Sequence, residues 1–318
     1  MTFSACLMAD KKLYVEKNEL IYVLDKNDNK ISYFIIYIIC YPIALYLASI
    51  SNWTYGERTG LIPSLSAYFK NIITVLTIVF FSFKNMKQSS KLLFMFLYLI
   101  ITFKSTQRTN FLIVALAYVY TIKNSKKVFK LGLLSIFALL VLGAARNGVS
   151  IFNLAYPIFG EGLFGSWGTL NSINEIQKFG FNTDNLLRFF NGFLNFFLKF
   201  FNLSLPELSF ELTSKGIDYY PMGGFFFLSD AILFNPIAGP ILYTTFIYVI
   251  YSFGYKRLLK KRTAEYLLYM GLLFEFIKAS QSTIMAMFAF HFLFLFLLRC
   301  VDTFVKFACK NNKDLSYA

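Results

Sequence analysis

Ile31-Ser-Tyr-Phe-Ile-Ile-Tyr-Ile-Ile-Cys-Tyr-Pro-Ile-Ala-Leu-Tyr-Leu-Ala-Ser-Ile50 is a run without a single charged side chain. As a helix it would be about 30 Å long, at about 1.5 Å per residue, which is one hydrocarbon thickness. The residues before it are polar. Lys11, Lys12, Lys17, Lys26 and Lys30 face Asp10, Glu16, Glu19, Asp25 and Asp28, and no apolar run of signal-peptide length occurs among them. After it, seven more apolar runs follow at about 65–83, 88–104, 108–122, 128–145, 231–253, 264–279 and 283–299. The pattern predicts an all-α, polytopic membrane helix bundle of eight spans.

Composition excludes the alternatives to a membrane protein. Over 318 residues, 57% are hydrophobic and 15% charged, with a mean hydropathy of +0.56. Soluble domains are about 45–50% apolar and about 25% charged, so this much apolar surface does not fit inside a globule of this size. The net charge of +14 is spread in short clusters between apolar runs. Such clusters orient spans, and no base-reading module accompanies them, so a nucleic-acid partner is not expected. Cys6, Cys40, Cys300 and Cys309 lack metal-ligand or redox spacing, and no metal or cofactor motif is present.

Lysine and arginine set the expected orientation. With the N-terminus inside, 21 of the 31 basic residues fall in inside segments, and the rest lie outside or near the outer ends of spans. Both termini are then cytoplasmic. The expected organisation is a cytoplasmic segment 1–30, five helices within 31–145, an outside loop 146–224, three helices within 225–300 and a cytoplasmic tail 301–318.

The long loop is where function is expected. It opens with Arg146-Asn-Gly and continues through Gly160-Glu161-Gly162-Leu-Phe-Gly165-Ser-Trp167-Gly168. That run matches GxGxxG without the strand and helix a dinucleotide site requires. Two readings stand: a turn at the membrane surface, or a glycine-rich backbone approached by a polar substrate, with Glu161 and Trp167 supplying a carboxylate and a stacking ring. Beyond Asp184, Arg188, Asn191, Asn195, Lys199 and Asn202 recur at helical steps on an otherwise Phe/Leu-rich stretch. This predicts an amphipathic helix at about 185–203 lying in the outer interface, its polar stripe facing water or a headgroup cavity. The loop closes with Asp218-Tyr219-Tyr220-Pro-Met-Gly223-Gly224.

Charges also approach the bilayer core. The uncharged runs 92–103 and 111–122 are each too short to cross alone, so their helices continue through Lys104 to Asn110 and carry Arg108 at the outer rim. Arg108 either snorkels or meets an anion, for which its planar fork of donors is suited. His291, the only histidine, lies inside the last apolar run; a lone histidine there reads first as a hydrogen-bonded core residue.

Thr106-Gln-Arg108-Thr109-Asn-Phe-Leu, Arg146 at the loop's start and Tyr219-Tyr-Pro-Met-Gly223-Gly224 at its end stand among apolar spans around one large outside loop. Over about residues 65–300 this arrangement resembles the bacterial O-antigen polymerase (Wzy) family, mostly as topology. The resemblance implies an inner-membrane enzyme joining undecaprenyl-diphosphate-linked oligosaccharide repeats at the outer, periplasmic face, with a chain-length regulator as protein partner and no cofactor. Arg146 and Arg108 would then meet the diphosphate leaving group, with Arg188 as a further cation. Glu161, Asp218 or His291 would serve as general base, and Trp167, Tyr219 and Tyr220 would stack on sugars. A ligase passing the chain to a lipid core, and a transporter of the same lipid-linked sugars, fit the same residues.

Overall fold

The computed structural model describes residues 30–50, 61–83, 86–105, 109–122, 130, 132–134, 137, 141, 173, 184–198, 201, 203, 205–206, 231–232, 235–258, 263–273 and 281–315. Among these the regular elements are helices: α1 Lys30–Ile50, α2 Leu61–Ser82, α3 Gln88–Ser105, α4 Thr109–Tyr120, α5 Asp184–Leu198, α6 Ala238–Leu258, α7 Thr263–Leu272 and α8 Gln281–Leu315. The apolar helices are those of an α-helical membrane protein.

Eight spans were expected, and three described helices have the length and apolar composition to cross a bilayer: Ile31–Ile50, Leu65–Ser82 and Ile284–Val305. The reasons for the shortfall differ by helix. α4 has 12 residues and α7 has 10, about 18 and 15 Å of helix. α3 and α6 contribute shorter apolar stretches, Gln88–Phe103 and Ala238–Phe253. Most of the expected fifth span and the second half of the seventh lie outside the described residues. α8 runs well beyond the expected end at 299, into the segment read as a tail.

The chain divides into two compact units. One contains α1 to α4, most of α7 and the C-terminal part of α8. Here α2 is the central helix, packed against α1, α3 and α4. Of its apolar window 67% is buried, against 28% for α1 and 22% for α8. Ile35, Ile38, Ile39 and Tyr46 of α1 and Phe296, Leu297 and Phe304 of α8 are exposed, an arrangement suited to lipid and not to water.

Aromatic packing fixes the helix directions. Tyr33 at the start of α1 meets Phe83 just past the end of α2, with ring centroids 6.0 Å apart. Tyr37 stands edge-on to Phe80 at 5.5 Å and to Phe94 at 5.0 Å, and Phe80 stacks on Phe94 at 4.4 Å. Phe81 meets Tyr118 at 5.2 Å, and Tyr120 meets Tyr266 at 6.2 Å. Successive helices therefore run antiparallel. Lys91 donates to the carbonyl of Phe81, capping the C-terminal end of α2 where orphan carbonyls collect. α7 approaches α4 closely because residue 271 is glycine: a Cβ there would lie 2.6 Å from the carbonyl oxygen of Ile113.

The other unit contains α5, α6 and the beginning of α8. α6 starts where Asn235 caps it, its Oδ1 accepting from the amides of Ile237 (2.9 Å) and Ala238 (2.7 Å). Phe193 of α5 packs on Phe246 of α6 at 5.8 Å. α5 is described as far as Leu198, and the Leu203 amide donates to the Leu198 carbonyl at 3.0 Å.

Candidate functional site: a buried polar layer around Lys70

Of the residues singled out in the sequence, Arg108, Arg146, Glu161, Trp167, Asp218, Tyr219 and Tyr220 lie outside the described residues. Arg188 is described: it is half-buried, one turn after Asp184 at the start of α5. The stripe expected to face water or headgroups is covered at two of its described positions. Asn191 and Asn195 are buried, and they bond to the chain segment at 205–206 that returns along the helix.

The structure draws attention to a residue that the sequence reading passed over. Lys70 belongs to α2, five residues into its apolar window, and is 1% exposed. A lysine at the end of a span normally reaches for water, but this one is enclosed. Ser66, Lys70, Thr74 and Thr77 recur at steps of four, four and three, and all are buried, so α2 turns one polar stripe toward its neighbours. The signal was available as this periodicity inside an apolar run. It was masked by the basic count, which treated Lys70 as a residue near an outer helix end.

Hydrogen bonds organise the layer. Thr74 Oγ1 lies 2.8 Å from the Lys70 carbonyl and 2.7 Å from the Tyr98 hydroxyl. A hydroxyl has one proton, so if Thr74 donates to the carbonyl, Tyr98 donates to Thr74. Thr102 donates to the Tyr98 carbonyl at 2.9 Å. Asn110 donates to Asn71 Oδ1 at 3.1 Å, joining the first turn of α4 to the residue after Lys70. Tyr68, two residues before Lys70, stands edge-on to Phe290 at 5.8 Å. The buried His291 therefore lies at the level of this layer along the bundle.

The buried carboxylates described in this unit sit at the other end of the helices. Glu265 pairs with Arg299 at 3.5 Å, and Asp302 accepts from Ser32 at 3.2 Å. Lys70 and the buried carboxylates thus lie toward opposite ends of the helices, with the aromatic layer of Tyr37, Phe80 and Phe94 between them. An ionisable group inside a membrane segment is costly, and such groups mark substrate or ion sites. Lys70 shares its face of α2 with the buried hydroxyls of Ser66, Thr74 and Thr77, and a lysine ammonium offers an anion a point charge. Among the described residues no three His, Cys, Asp or Glu side chains come together.

The fold and this layer define an α-helical membrane protein with a lysine buried among its helices. The chain matches no family model, no curated protein and no solved structure.

Proposed function

We propose that this protein is a membrane glycosyltransferase. It polymerises undecaprenyl-diphosphate-linked oligosaccharide repeats at the outer face of the bacterial cytoplasmic membrane, through eight spans with both termini inside. The observation that carries the reading is the Lys70 layer. It includes Thr102 of α3 and Asn110 of α4, and Arg108 lies between these two positions in the sequence. Topology has its own support: Ser32 bonds to Asp302, and Glu265 to Arg299, so each pair needs an even number of crossings between its members.

In this reaction a hydroxyl of the incoming unit attacks the anomeric carbon of the growing chain. The bond from that carbon to the carrier diphosphate breaks. The departing diphosphate gains negative charge, and fixed cations stabilise it as it forms. Lys70, Arg108 and Arg146 are assigned this role. His291, buried in α8, is assigned the acceptor proton. As the family resemblance implies, Glu161 and Asp218 of the loop are the alternative bases, Arg188 is a further cation for the diphosphate, and Trp167, Tyr219 and Tyr220 stack on the sugars.

The test is a clean deletion in the native host, with surface polysaccharide resolved by length. Loss of the protein should leave at most one repeat unit per carrier, and restoring it should restore the ladder. Long chains persisting in the deletion, with no second polymerase present, would overturn the proposal.

A further inference from the structure

The helix α5 is amphipathic in an inverted sense. Asn191 and Asn195 are buried, whereas Leu187, Phe190, Leu194 and Phe197 are all more than half exposed and recur at steps of three, four and three. Phe201, Leu203 and Leu205 continue the exposed apolar surface beyond the helix.

What covers the polar side is the chain itself. The Asn195 carboxamide holds Leu205 from both sides: Oδ1 accepts from the Leu205 amide at 2.8 Å, and Nδ2 donates to the Leu205 carbonyl at 2.8 Å. Asn191 Nδ2 donates to the Pro206 carbonyl at 2.9 Å. Proline has no amide proton, so these bonds satisfy the backbone groups of both residues without water. Irregular backbone survives at membrane depth when protein groups satisfy it in this way.

Depth comes from α6. Phe246 lies near the middle of the apolar stretch Ala238–Phe253, and Phe193 packs against it. From Asp184, the charged start of α5, to Phe193 is about 13.5 Å of helix, close to half of an about 30 Å hydrocarbon core. α6 is itself exposed at Ile241, Leu242, Val249 and Phe253, so the apolar surface of α5 continues that of the apolar helix beside it.

We infer that Asp184–Leu198, with the described residues 201, 203, 205 and 206, belong to a re-entrant hairpin whose apolar surface is covered by lipid acyl chains, the helix passing the middle of the bilayer and the chain turning back toward the side it entered. This replaces the surface-lying helix expected from sequence. It rests on the membrane character of α6 and not on the polymerase reading.

The test uses the full-length protein, with its four cysteines replaced by serine, in phosphatidylcholine and phosphatidylglycerol nanodiscs. Single nitroxide labels are placed by cysteine substitution at Leu187, Phe190, Leu194, Phe197, Leu203 and Leu205, with Val249 of α6 as reference. Collision with oxygen and with a water-soluble nickel chelate reports depth. The expected result is depth increasing from Leu187 to Leu194, oxygen-dominated relaxation at Leu194 and Phe197 comparable to Val249, and Leu205 no deeper than Phe197. Introducing Asn195→Ala should raise nickel access at Leu205 and leave Leu187 unchanged. One shallow depth for all of α5 would overturn the inference in favour of a surface helix. Nickel-dominated relaxation at Leu194 and Phe197 would place the face in water, and emergence of Leu205 at the opposite surface would make the segment a full span. Either also overturns it.

Discussion

Replacing Lys70 with methionine separates a site from a structural lysine. The two side chains are nearly equal in length, and methionine adapts to its surroundings, so no large cavity forms. What disappears is a cation enclosed at 1% exposure, five residues or about 7.5 Å into the apolar window of α2. On an insertion scale, a charge at the centre of a span costs about 2.5–3.5 kcal/mol, and less toward the ends. Against that gain stands the loss of the ammonium's hydrogen bonding, about 1–3 kcal/mol for a buried charged group. The terms oppose, so Lys70→Met should fold within about 2 kcal/mol of the native protein. Catalysis should respond very differently. A cation that meets developing diphosphate charge contributes about 3 kcal/mol to the transition state, so its removal should slow chain growth by roughly 10²-fold. The assay is repeat-unit incorporation in membrane vesicles, normalised to protein abundance, with thermal unfolding of the detergent-solubilised protein alongside. Native incorporation per molecule by Lys70→Met would remove Lys70 from the site. So would a loss of abundance with specific activity intact.

Gly271→Ala should lower stability by about 1–3 kcal/mol, the range for overpacking. The added Cβ would meet the Ile113 carbonyl at 2.6 Å and Ile113 Cγ2 at 2.9 Å. Adding Ile113→Ala should recover only part of the loss, because the carbonyl contact remains. An unchanged unfolding temperature for Gly271→Ala would refute the close approach of α7 and α4. Arg146→Ala should abolish polymerisation and Arg146→Lys impair it strongly, since lysine keeps the charge and loses the bidentate fork. Normal chain lengths from Arg146→Ala at normal abundance would leave Arg188 as the next cation to test.

Membrane class and helicity were legible in the sequence because apolarity over about 20 residues is a local property. α1 fills the uncharged run that begins at Ile31, and α5 begins at Asp184, where an acidic residue suits the first turn. The polar stripe of α5 was legible too, as helical spacing. What covers that stripe was not. Leu205 and Pro206 close on Asn195 and Asn191 only after a reversal of the chain beyond Leu198, and no periodicity encodes that partner. Lys70 marks the same boundary. Its place in an apolar run is written in the sequence, but its enclosure depends on which face of α2 meets α1, α3 and α4. That face is chosen by contacts distant in sequence: Thr74 with Tyr98, Asn71 with Asn110, and the aromatic stack of Phe80 on Phe94. Solvation of a side chain depends on everything packed around it. The sequence alone therefore determined the apolar, helical character of the described segments, and only the tertiary structure decided which of their polar groups are enclosed.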